Sequence, residues 1–117
     1  MMGPMPRITE SLVAEALPLP KKGVVIGGKK VKEVRVQSTD RDYYTVGITM
    51  EKGVKRRDVQ AALSELLNCH VLNTPVGDLA VRVTHFEMIP TKKGPTVYVV
   101  MRIVPMIYNN PGKVKSN

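Results

Sequence analysis

Several residue types that mark particular protein classes are scarce in this 117-residue chain. Its single cysteine, Cys69, excludes an internal disulfide framework. With only two histidines beside it, the chain has too few ligands for a Cys/His zinc site, and we predict no metal. No apolar run approaches the ~20 residues that a membrane-spanning helix needs, so we expect no membrane partner. The first residues lack a charged stretch followed by an apolar one, which predicts a cytoplasmic protein without a secretory signal.

Aromatic residues are also few: four tyrosines, one phenylalanine and no tryptophan. Proteins that bind single-stranded nucleic acid usually stack several aromatic side chains on the bases. Tyr43 and Tyr44 are adjacent in an expected strand, so they point to opposite faces and at most one of them joins such a surface. The composition therefore argues against base stacking, while binding to a duplex backbone remains compatible with it.

Positive charge, in contrast, is abundant. Eighteen Lys and Arg against ten Asp and Glu give a net charge of +8 and a pI near 9.8. Such a pI is typical of nucleic-acid-binding domains, although many basic proteins use the charge only for solubility. Three lysine pairs lie beside glycines, and a further basic cluster falls at the start of an expected helix. The candidate contacts to phosphate or to an acidic partner are Lys21, Lys22, Lys29, Lys30, Lys55, Arg56, Arg57, Lys92 and Lys93.

The most informative of these cations are Lys55, Arg56 and Arg57, which fall in the first turn of the expected helix. A cation there opposes the helix dipole by about 0.3–1 kcal/mol, so a sequence selected only for helix stability would place acids instead. An anion site built from helix N–H groups and two guanidinium groups explains the choice. A solvated positive surface explains it equally well.

Hydrophobic periodicity predicts an α+β fold: a four-stranded antiparallel sheet in the order α-β-β-α-β-β. A short helix is expected over 8–17 with Thr9 as its N-cap, and a main helix over 54–69 covers one sheet face. The strands are expected from residue 31 to a polar turn at 38–42, and over 43–50, 79–89 and 96–104, with a bulge near Lys32. The segment 21–30 is expected to be a loop or a short strand. Residues 1–7 and 105–117 are predicted to be arms on a single domain, 8–104.

The last strand is apolar on both sides, which is typical of a strand buried on two faces. One long helix and one short helix cover only one face of a sheet, so the second face needs a cover, either the arms or another subunit. We therefore predict contacts between subunits there and in the C-terminal arm. The expected contact residues are Tyr98, Val100, Met106, Ile107 and Tyr108.

No set of residues indicates catalysis, and we predict neither catalytic residues nor a cofactor site. Cys69 and His70 are neighbours in an expected helix, where adjacent side chains project about 100° apart, so they form no nucleophile–base pair. His85 lies within a strand. Asp40 and Asp42 share a polar turn, where solvated carboxylates are far commoner than an acid–base pair.

Three functions remain. The leading hypothesis is a non-enzymatic assembly subunit that oligomerises through a sheet face and its termini, as in a ring, a tube or a virus-like particle. The alternative is a nucleic-acid-binding module whose cations contact phosphates. The third is an adaptor or inhibitor that binds an acidic protein surface through the same cations.

Overall fold

The computed structural model describes residues 8–106, and the sheet dominates them. Six antiparallel strands form one sheet in the order β1-β2-β3-β6-β5-β4. The strands are β1 (Val25–Ile26), β2 (Lys29–Asp40), β3 (Tyr43–Met50), β4 (Val71–Thr74), β5 (Gly77–Ile89) and β6 (Thr96–Pro105). The helices are α1 (Glu10–Ala16), α2 (Arg56–Ala62) and α3 (Ser64–Leu67). The sheet thus consists of two three-stranded meanders, joined by the helices and paired through β3 and β6.

The predicted four-stranded sheet is therefore wrong, because two short edge strands extend it. Strand β1 has only two residues and pairs with the start of β2 across a Gly27-Gly28 turn, where both glycines have positive φ. Strand β4 pairs with β5 across a turn at Pro75 and Val76. The extended backbone before that turn hydrogen-bonds to β5 and forms a hairpin.

The predicted main helix over 54–69 is also wrong, because the backbone breaks at Leu63. This residue has φ −99° and ψ 10°, and it separates two helices of seven and four residues. Its side chain is fully buried, as are those of Val59 and Leu66. The apolar residues keep their helical spacing across the break, so the sequence pattern does not reveal it. The helix also begins later than the expected residue 54, at Arg56, with Lys55 as its N-cap.

Other predicted elements are confirmed. Helix α1 is capped by Thr9, whose hydroxyl accepts a hydrogen bond of 3.1 Å from the Leu12 amide. Strand β3 has the predicted bounds, and β2 carries the expected bulge, since its register shifts between Val31 and Glu33.

One face of the sheet packs against all three helices and carries the core. The inward residues of β3 and β6 are 0–3% exposed and join Val13 of α1, Val59 of α2 and Leu66 of α3 in one cluster. The prediction that β6 is buried on both faces is wrong, because Tyr98 is 36% exposed and Arg102 is also exposed. In the last hairpin Ile89 lies opposite Thr96.

Candidate functional site

Most of the predicted cations lie together at one end of the sheet. Three connections meet there: the β1–β2 turn, the β3–α2 connection (51–55) and the β5–β6 connection (90–95). The Met50 amide donates to the Pro95 carbonyl at 2.9 Å, and the Lys32 ammonium donates to the Lys93 carbonyl at 3.1 Å. The Lys30 amide donates to a carboxylate oxygen of Glu51 at 2.7 Å, which joins the first connection to the second.

We name this region the basic end. It comprises Lys29, Lys30, Lys32, Lys52, Lys55, Arg56, Arg57, Lys92 and Lys93. Seven of these residues were predicted from the sequence, whereas Lys32 and Lys52 were not. They are single lysines without a neighbouring basic residue or glycine pair, and only the folded connections bring them to the others. Within residues 8–106, none of these lysines forms an ion pair with a carboxylate.

The three cations around the start of α2 have different surroundings. Lys55 is the N-cap residue and makes no side-chain hydrogen bond to the helix. The Arg56 guanidinium stacks over the Phe86 ring, with 4.9 Å between its Cζ atom and the ring centroid. Arg57 lies 3.9 Å from the Asp58 carboxylate. Arg56 therefore links the start of α2 to β5 through a cation–π contact.

Lys21 and Lys22 lie apart from this arrangement. They line a surface groove of about 650 Å³ between α1 and the outer edge of β2, whose walls include Leu17, Val34 and Val36. Glu15 and Glu33 line the same groove, so the two lysines have acids near them. The structure thus places these two predicted contacts in a groove of mixed charge, separate from the basic end.

The face of the sheet opposite the helices is the second candidate surface, and we name it the open face. Its four long strands contribute alternate residues, which the β-ladder register places side by side. They are Glu33, Arg35, Gln37 and Asp40 of β2; Tyr43, Thr45, Gly47 and Thr49 of β3; Thr96, Tyr98, Val100 and Arg102 of β6; and Arg82, His85, Glu87 and Ile89 of β5. No helix of residues 8–106 covers them.

Two of the predicted subunit contacts, Tyr98 and Val100, lie on the open face. Met106 is half-buried beyond β6, and its amide donates to the Asp78 carbonyl at 3.0 Å. The structure therefore places Met106 away from the centre of the open face, next to the start of β5. Ile107 and Tyr108 lie outside the described residues.

The remaining open-face residues were not identified from the sequence. Arg82 and Arg102 lie directly opposite each other on β5 and β6, an arrangement of like charges that weakens a sheet. Arg102 also lies 3.4 Å from the Asp42 carboxylate. Only the register reveals these neighbours, since the two arginines are 20 positions apart in the chain.

Cys69 and His85, which were considered for catalysis, lie in different surroundings. Cys69 is half-buried, and its thiol lies 3.5 Å from the Val71 carbonyl. Burial raises the pKa of the Cys69 thiol and outweighs the lowering by a hydrogen bond from the Val71 backbone, so the thiolate fraction is reduced. His85 is exposed and lies 3.3 Å from the Glu87 carboxylate. The described part of the chain contains no group of three or more His, Cys, Asp or Glu side chains arranged to hold a metal ion.

The helices of residues 8–106 are too short to cross a bilayer. Comparison with known proteins gives no match: no family model, no curated protein and no solved structure is similar to this chain.

Proposed function

We propose that this protein is a non-enzymatic subunit of a homo-oligomeric assembly and that copies contact one another through the open face. The observation that carries the proposal is the one-sided packing of the sheet. Helices α1, α2 and α3 share a single core with the inward strand residues, and no element of residues 8–106 forms a layer on the other face. A sheet usually buries one face or both against another element, and a second subunit supplies such a layer.

The exposed apolar side chains support the same surface. Seven large hydrophobic residues are well exposed within residues 8–106, and four of them project from the side of the sheet opposite the helices. These four are Tyr43, Val71, Ile89 and Tyr98. Their exposed fractions run from 36% to 43%. The face also carries Thr45, Thr49 and Thr96, so it is partly polar, as is usual for interfaces between separately folded subunits.

The test is the mass of the protein in solution as a function of concentration, measured by sedimentation or light scattering after nuclease treatment. We expect the mass to exceed that of a monomer at concentrations of tens of micromolar. Tyr98→Asp removes an aromatic side chain from the centre of the face. We expect this variant to have a measured mass closer to that of the monomer at each concentration. Val76→Asp is the matched control, because Val76 is 49% exposed on the β4–β5 turn, away from this face.

A protein that stays monomeric up to millimolar concentration contradicts the proposal. Equal effects of Tyr98→Asp and Val76→Asp contradict the choice of surface. The kind of particle (ring, tube or virus-like shell) and the cytoplasmic location remain predictions, as do the contribution of the two arms and the absence of catalysis.

Binding of a polyanion, such as the phosphate backbone of a nucleic acid, is a second candidate function. The specific observation in its favour is the convergence of seven predicted cations, with Lys32 and Lys52, at the basic end. Glu51 and Asp58 are the acids of the adjoining segment, and Glu51 already accepts a hydrogen bond from the Lys30 amide. A surface with this excess of positive charge attracts phosphates and releases counterions from them.

This candidate is tested with a 20-base-pair duplex. Lys92→Glu with Lys93→Glu is expected to weaken binding at least tenfold, and the salt dependence of binding is expected to become shallower by about one unit for each phosphate that the variant no longer binds. Arg41→Glu is the control, because Arg41 lies in the β2–β3 turn at the opposite end of the sheet. Unchanged binding by the double variant contradicts this function. A stoichiometric complex with an acidic protein that survives nuclease favours the third hypothesis, an adaptor or inhibitor.

A further inference from the structure

The register of the sheet arranges the open face in rows, and two of these rows carry opposite charges at their two ends. Each row crosses four strands in the order β2, β3, β6, β5. One row consists of Arg35, Gly47, Tyr98 and Glu87. Another consists of Asp40, Tyr43, Arg102 and Arg82. In both rows the charge on β2 is opposite in sign to the charge on β5, and a tyrosine lies between them.

We propose that two copies pack open face to open face about a twofold axis that runs parallel to the strands, between β3 and β6. This proposal rests on the proposed function and specifies its interface. Rotation about such an axis keeps every residue at its level along the strands. It places β2 of one copy over β5 of the other and β3 of one copy over β6 of the other. Arg35 of each copy then faces Glu87 of the other, and Asp40 of each copy faces Arg82 of the other.

The centre of the interface carries an aromatic side chain from each copy. Gly47 has no side chain, and a shallow groove of about 280 Å³ opens beside it, between Thr45, Thr49 and Tyr98. Within one copy the Tyr98 ring already lies against Gly47, 3.6 Å from where a Cβ atom of residue 47 would stand. The same rotation therefore brings the Tyr98 rings of the two copies together at the axis, where they can stack. It also places Tyr43 over Arg102, a pair that favours a cation–π contact. Packed sheets lie about 10 Å apart, a distance that paired Arg, Glu and Tyr side chains span.

The other twofold arrangement of the same faces is less favourable. An axis perpendicular to the strands places each strand of one copy over the same strand of the other copy. It also reverses the order of the rows along the strands. It puts Glu33 of one copy against Asp40 of the other, and like charges at a desolvated contact are costly. The charges therefore select the axis parallel to the strands.

The interface is small. Four strands at about 4.8 Å spacing and seven residues at about 3.3 Å give a flat footprint of roughly 450 Å² on each copy. Both copies together then approach the roughly 1,000 Å² at which specific interfaces begin. Inside a single copy, Arg35 pairs with Glu33 at 3.1 Å and Glu87 with His85 at 3.3 Å. These pairs are exposed and contribute little in the monomer. In the dimer Glu33, at the rim of the interface, faces Ile89 of the other copy, and the partial desolvation of its carboxylate weakens the association. We expect a dissociation constant in the micromolar range or weaker.

The decisive experiment reverses one charge at a time. Arg35→Glu creates two Glu–Glu contacts in a dimer, and Glu87→Arg creates two Arg–Arg contacts. We expect each variant alone to dimerise at least tenfold more weakly than the unmodified protein, as measured by sedimentation equilibrium. In an equimolar mixture of the two variants both contacts are again between opposite charges. We therefore expect the mixture to dimerise about as strongly as the unmodified protein. We expect the same of the chain that carries both Arg35→Glu and Glu87→Arg.

Lys52→Glu is the control for net charge, because it changes the charge by the same amount as Arg35→Glu but lies at the basic end. Asp40→Arg and Arg82→Asp provide a second pair of variants with the same logic. A mixture that associates no better than its separate components overturns the proposed pairing. If the unmodified protein still forms oligomers, the assembly function stands with a different interface. A monomeric unmodified protein overturns both.

Discussion

Gly94 is expected to be among the least replaceable residues of the chain. It lies in the β5–β6 connection with φ +124°, a backbone conformation that side chains of L-amino acids rarely adopt. A Cβ atom at this position would also fall far inside van der Waals contact with the Met50 carbonyl oxygen. The backbone of the connection thus approaches the end of β3 so closely that only glycine fits.

The cost of Gly94→Ala has two parts. Backbone strain contributes about 1–3 kcal/mol. The clash forces the connection away from β3, where the Met50 amide donates to the Pro95 carbonyl at 2.9 Å, and loss of such a bond between buried groups costs about 1–3 kcal/mol. We therefore expect the free energy of unfolding to fall by about 4 kcal/mol, a large part of the 5–15 kcal/mol that is typical of a domain.

Gly23→Ala is the matched control. Gly23 has φ +91°, but a Cβ atom built on it meets no other atom within 4 Å. Its substitution isolates the backbone strain, about 1–2 kcal/mol. Urea unfolding, followed by circular dichroism, measures both variants. Equal losses of unfolding free energy in the two variants would refute the argument from close approach.

Two further predictions concern titratable side chains in the core and at its margin. Burial raises the pKa of Tyr44, and the negative charges of Asp42 and Glu10 add to the effect. The folded protein therefore holds this proton more tightly than the unfolded chain, so the associated stabilisation is present below about pH 10 and is lost as the pH rises through the higher pKa of the folded state. We expect the free energy of unfolding to fall less steeply above pH 10 in Tyr44→Phe than in the unmodified protein, and parallel pH profiles would contradict this. For Cys69, whose raised pKa follows from burial, we expect slower alkylation by iodoacetamide at pH 8 in the folded protein than in urea; equal rates would show that the thiol is not protected.

The two candidate surfaces occupy different parts of the molecule and are compatible with each other. The open face lies opposite the helices, whereas the basic end projects beyond the point where β3 ends and β6 begins. A dimer about the axis parallel to the strands keeps the levels of the two sheets equal. It therefore brings both basic ends to the same side of the assembly and doubles the positive charge there. If both proposals hold, dimerisation is expected to strengthen polyanion binding.

Much of the local structure can be read from the sequence. The alternation of apolar and polar residues in β3 determines its bounds and its buried face, because every second residue of a strand points to the same side. Thr9 marks the start of α1, and the mismatch at Lys32 marks the bulge in β2, for equally local reasons. The predicted cations were found in the same way, since charged residues in turns beside glycine are exposed wherever the chain runs.

The rest was decided by tertiary contacts. Strands β1 and β4 have two and four residues, too few for a periodic pattern, and they are strands only because β2 and β5 offer hydrogen-bonding partners. The break at Leu63 leaves the apolar spacing intact and so has no signature in the sequence. The charged rows of the open face depend on register, and a shift of one residue in the β5–β6 hairpin changes every neighbour across the sheet. The sequence by itself thus determined the charges, the long strands and their inward faces, because these depend on local patterns. Only the folded sheet decided the short edge strands, the exposure of the outer face and which residues lie side by side.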